Sequence, residues 1–116
     1  MKNLTTINHL KHQFQIKDFV KKTIYQINKD GIGLADGDIL IADYEIETIF
    51  EVVIKKVESL LKELDKNSFL QQFIYKVDLN EKHWIYFMSF QNFTKLAEEV
   101  VTREAQKVYL REMFSH

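Results

Sequence analysis

At 116 residues the chain has room for one hydrophobic core. Hydrophobic residues make up 46% and charged residues 28%, a globular balance that argues against disorder. It has no cysteine, which excludes disulfides, thiolate metal sites and thiol nucleophiles and favours a cytoplasmic home, and its net charge of −1 argues against a dedicated nucleic-acid binder.

There is no proline to interrupt long helices. No apolar stretch approaches the roughly 20 residues a membrane span needs, so no membrane association is expected. The first residues lack the apolar run of a signal peptide. Charge is spread unevenly: +4 over residues 1–30, −5 over 31–66 and 0 over 67–116. Nine Phe, five Tyr and one Trp are a heavy load for this length, and aromatic residues dominate cores and interfaces alike. A partner surface or a homodimer is therefore expected.

Residues 1–12 are polar and weakly periodic. From Phe14 to Asn28, apolar residues recur at Ile16, Phe19, Val20, Ile24 and Ile27, the pattern of an amphipathic helix. The segment 30–43 holds all three glycines, Gly31, Gly33 and Gly37. Gly31 is placed to close the preceding helix in the left-handed conformation, and Asp36-Gly37 is a hairpin turn signal. A glycine-containing loop or a minor β-hairpin is expected there.

Ile46, Phe50, Val53, Val57, Leu60 and Leu64 then form a heptad seam, widened by Ile49, Val52, Ile54 and Leu61. It predicts a long helix from about Tyr44 to about Asp65, with Asp43 as N-cap and Glu45 and Glu47 in the first turn. Ser68 with Gln71 reads as a capping box for a helix from Phe69 to about Val77. Asn80 is an N-cap candidate. The aromatic run 83–90 (HWIYFMSF) suits either a short buried helix or a strand. A last helix is expected from about Asn92 to about Met113, with Phe93, Leu96, Ala97, Val100, Val101, Val108 and Tyr109 along its apolar stripe.

Asp30-Gly31-Ile32-Gly33-Leu34 resembles part of the glycine box of GHKL-type ATPases. The Asp that binds adenine in that family falls on Lys29 here, and its other motifs are missing, so these residues read as a turn. Asp36, Asp38, Asp43, Glu45 and Glu47 put five carboxylates within twelve residues, without an EF-hand register. They read as turn and helix-start chemistry, with a weak divalent-cation site as the alternative. His9 and His12 could share a helical face, but a metal site needs three or four ligands. No nucleophile elbow or phosphate loop is present. No catalytic, cofactor-binding or metal-binding residue is singled out.

In the last helix Lys95, Glu99, Arg103, Lys107 and Arg111 stand four apart. Arg103, Lys107 and Arg111 are the candidate partner-binding residues, for an acidic protein surface or for phosphates; the alternative is a solvated face. The expectation is a single helical domain over 1–116, a compact all-α bundle of four or five helices. The expected function is a small non-enzymatic protein–protein interaction or regulatory module, bound to another protein or to itself. A nucleic-acid-binding regulator is the alternative, and a small metal-binding or enzymatic helical protein a second.

Overall fold

The computed structural model describes residues 17–41, 45 and 47–114. They form α1 (Lys17–Asp30), α2 (Ile49–Lys66), α3 (Leu70–Val77), α4 (Glu81–Ser89) and α5 (Phe93–Phe114), with no strand among the described residues. This is the all-α bundle that the periodicity predicts.

Helix α5 is the post of the bundle. It packs most extensively on α2, next on α1, and also touches α3 and α4. Its buried residues, Leu96, Ala97, Val100, Val101, Glu104, Ala105 and Val108, trace the expected stripe with one acid in it. Helices α1 and α5 run antiparallel, since Lys22, Gln26 and Asp30 meet Glu112, Arg111 and Lys107 in turn. Phe73, Ile27, Ile49, Leu61, Leu64 and Leu96 are fully buried and draw on four of the five helices.

Helix α2 differs from its forecast in two ways. It begins at Ile49, so Glu45 and Glu47 precede it and Glu51 is the acid of its first turn. Thr48, at the N-cap, makes no side-chain capping bond. Asp43, Tyr44 and Ile46 lie outside the described residues. The seam also shifts: Phe50, Val53, Val57 and Leu64 are buried, but Leu61 is buried between them while Leu60 is only half-buried. An α-helix turns every 3.6 residues, so a stripe counted at 3.5 drifts across a straight helix.

The chain closes three successive helices in the same way. Ser68, Asp78 and Gln91 hold φ of 65°, 70° and 51°, the left-handed conformation usually given to glycine. The Phe69 amide donates back to Leu64 O at 2.8 Å, Leu79 to Ile74 O at 3.4 Å, and Asn92 to Phe87 O at 2.8 Å. Ser68 therefore ends α2 and does not cap α3, whose N-cap is Phe69 without a side-chain bond. Asn80 does cap α4, accepting from the Lys82 amide at 2.9 Å, and Asn92 Oδ1 accepts from the Lys95 amide at 3.1 Å.

After α1 the chain makes turns and bends over 31–37. Gly31 is not left-handed as forecast; its amide bonds to Ile27 O and Asn28 O, and of the three glycines only Gly33 has a positive φ, 80°. The loop is pinned by Asn28, whose side chain donates to Ile39 O at 3.0 Å and accepts from the Ile39 amide at 2.7 Å. That pair seats the Ile39 side chain in the core.

Candidate functional site

Two places carry more chemistry than packing requires. The first is a buried polar cluster between the end of α1 and the middle of α5. Position 104 continues the stripe of Val100, Val101 and Val108, so its side chain points into the core. It is a glutamate, and it is fully buried. Lys107, one turn on, brings its ammonium 2.6 Å from Glu104 Oε1 and 2.7 Å from Asp30 Oδ2, and donates to Lys76 O at 3.2 Å.

Neither Glu104 oxygen accepts a hydrogen bond of good geometry, despite the nearby ammonium. A protonated carboxyl accounts for this, because it donates to a neighbour and needs no donor of its own. Burial first, and then the Asp30 carboxylate, push the Glu104 pKa up to about 9, against the opposing pull of Lys107. Burial alone would raise Asp30 as well. Bonds from Glu104, Lys107 and Gln26 outweigh it and hold Asp30 below its ordinary 3.8. The cluster is then one carboxylate, one carboxylic acid and one ammonium, with no net charge in the core.

The three sequence-predicted residues share one side of α5, and each finds an acceptor within the chain, although Arg111 stays exposed. Arg103 clasps Asp78, donating from Nε to its carbonyl at 3.2 Å and from a terminal nitrogen to its carboxylate at 3.0 Å. Lys107 enters the buried cluster. Arg111 donates to Gln26 Oε1 at 2.6 Å, and Gln26 passes the link on to Asp30 Oδ1 at 3.2 Å. Arg103 thus pairs with Asp78. The resemblance to a glycine box covered Asp30 to Leu34; the Asp30 carboxylate is engaged by Lys107, and the structure adds nothing to that resemblance.

The second place is α4. None of its nine residues is buried. A step of about 100° per residue sorts them into two sides. Trp84, Phe87 and Met88 lean on the core. Ile85, Tyr86 and Phe90, the last just past the helix, face away from it at 50%, 60% and 70% exposure. The Tyr86 ring meets Phe87 and Phe90 edge-on, with centroids 5.7 and 5.3 Å apart. So the aromatic run is a helix with apolar residues on both sides, one of them uncovered.

Asp36, Asp38, Glu45 and Glu47 are exposed and His83 is exposed; His9, His12, Asp43 and His116 lie outside the described residues. Among the described residues no three His, Asp or Glu side chains are grouped to hold a metal ion. Glu104 was missed by sequence reasoning although the signal existed, an acid spaced four residues from both Val100 and Val108. The outward face of α4 had a signal too: the run 83–90 contains more apolar residues than one buried side of a short helix can use. No family matches the chain, and neither a curated protein nor a solved structure does.

Proposed function

We propose that this chain is a single helical domain acting in the cytoplasm as a non-enzymatic protein–protein interaction module, with the outward face of α4 as its contact surface. The observation that carries this is the double-sided apolar character of α4. A surface helix ordinarily sets apolar residues on one side and polar residues on the other. Here Ile85, Tyr86 and Phe90 stand in solvent opposite a side already packed on the core. Tyr and Phe are the residues that interfaces favour, because they bury large areas at small entropic cost. The edge-on contacts of Tyr86 order these rings before any partner arrives. The stripe of Arg103, Lys107 and Arg111 is the weaker surface, since each already has an acceptor within the chain. The partner is another protein or a second copy of this chain.

The test is the variant Ile85→Ser/Tyr86→Ser/Phe90→Ser. Light scattering after size exclusion reports self-association, and capture on immobilised protein reports other partners. The variant should keep the wild-type melting temperature within about 3 °C, as surface changes do, and lose the associations that the wild type makes. A variant that melts much earlier would make these residues core. Associations that persist would move the contact elsewhere.

A further inference from the structure

The antiparallel pair α1 and α5 leaves an open groove of about 360 Å³, lined by Lys21, Lys22, Tyr25, Val108, Arg111 and Glu112. That is within the size range of small-molecule sites. We propose that this groove binds a phosphomonoester: the phosphate at Lys21, Lys22 and Arg111, and the organic part on the Tyr25 ring. The inference is independent of the reading of α4.

Charge is the first argument. Three cations line the groove against Glu112 and the flanking Asp18, 3.2 Å from Lys22, which leaves a local charge of +1 in a chain whose total is −1. A phosphomonoester carries about −1.5 to −2 at pH 7 and offers three strong acceptor oxygens. Its three oxygens can engage all three cations at once, whereas a carboxylate has only two. Preorganisation is the second. Arg111 is exposed, but its guanidinium is anchored by donation to Gln26, a buried side chain only 5% exposed. Gln26 in turn donates to Asp30, which Lys107 holds. The buried cluster thus aims a guanidinium along the groove wall, and a fixed guanidinium suits the fork geometry of phosphate. Shape is the third. Tyr25 is 66% exposed and lines the groove beside the cations, so an accessible flat ring stands next to the charge. Lys22 is held by Asp18 and Glu112, but these pairs are solvent-exposed and exchange readily with an incoming anion.

The probe is phenyl phosphate, followed by amide shifts in nuclear magnetic resonance spectra of the full chain. Saturable shifts are expected at Lys21, Lys22, Tyr25 and Arg111, with phenol and inorganic phosphate each binding about tenfold more weakly. Lys21→Glu/Lys22→Glu should weaken binding at least about tenfold with the melting temperature little changed, as losing charge-assisted bonds implies. Arg111→Lys, which keeps the charge and loses the fork, should weaken it less. Anionic vesicles of phosphatidic acid form a second arm, since a lipid headgroup carries the same phosphate. Vesicle binding without any response to phenyl phosphate would overturn the proposal. So would the absence of saturable shifts up to about 10 mM, or equal binding by wild type and the double-Glu variant.

Discussion

Glu104 is the residue that most constrains its surroundings. A second carboxylate buried this fully, beside the Asp30 charge and with one ammonium between the two, costs several kcal/mol, so the side chain keeps its proton and Asp30 keeps the charge. The pH dependence follows from the two shifts. Glu104 is raised from 4.5 to about 9, so its contribution is fully present below 4.5 and drains away as pH climbs to about 9. Asp30 is lowered, so its contribution is present above 3.8 and is lost as acid protonates it below that. Between pH 5 and 8.5, wild-type stability should therefore fall relative to Glu104→Gln, by at most about 1.4 kcal/mol per pH unit. Urea melts of both proteins across that range check this; parallel curves would mean that Glu104 is ionised or solvated. Lys107 is the counterpart. Lys107→Met should cost about 3–5 kcal/mol at pH 7, because it strands the Asp30 charge at the end of α1. A loss under about 1 kcal/mol would show that water reaches the cluster. The sequence spaced Arg103, Lys107 and Arg111 correctly onto one side of α5. It could not say what that side faces, because their partners Asp78, Asp30 and Gln26 lie 25 to 85 residues away.

At the scale of elements, the helices were legible and their closures were not. Apolar periodicity located α1, α2, α3 and α5 to within a few residues, because burial of one side dominates helix formation in a small core. Asn80 was readable as a cap because its short amide can satisfy a free amide two residues on. Ser68, Asp78 and Gln91 gave no such signal. Sequence rules look for glycine where φ turns positive, and none of the three is glycine. The chain accepts the left-handed strain there in return for the backward bonds from Phe69, Leu79 and Asn92. Ser68→Gly should therefore stabilise the protein by up to about 1 kcal/mol, since left-handed geometry costs an L-residue about 1–2 kcal/mol and glycine gives back part in chain entropy. Asn80→Ala should cost about 1 kcal/mol through the lost cap. Thermal melts of the two variants in one buffer check both; a destabilising Ser68→Gly would contradict the assigned geometry. The start of α2 was misjudged because acids at 45 and 47 resemble a first turn wherever they precede an apolar run.

At the scale of the molecule, the five helices of the described residues share one core around α5, and Phe73 sits fully buried in it against the turn at Gly31. Phe73→Ala should cost about 3–5 kcal/mol, as large truncations in a packed core do. What composition foretold about the exterior was only that the aromatic residues outnumber the needs of a core. Which of them stay outside depended on α4 being a helix rather than a strand, and the run 83–90 fits both periods. The central claim is that α4 offers Ile85, Tyr86 and Phe90 to a partner rather than to its own chain. The chain has no cysteine, so a single introduced thiol reports one position without background. The deciding measurement is the rate of thiol labelling at Tyr86→Cys and at Phe87→Cys, in dilute isolated protein and again at high concentration or with a captured partner. Position 86 should react nearly as fast as a free thiol when dilute, position 87 far more slowly, and association should slow position 86 alone. Equal and slow labelling of both positions in the dilute chain would contradict it, because α4 would then be covered by its own protein.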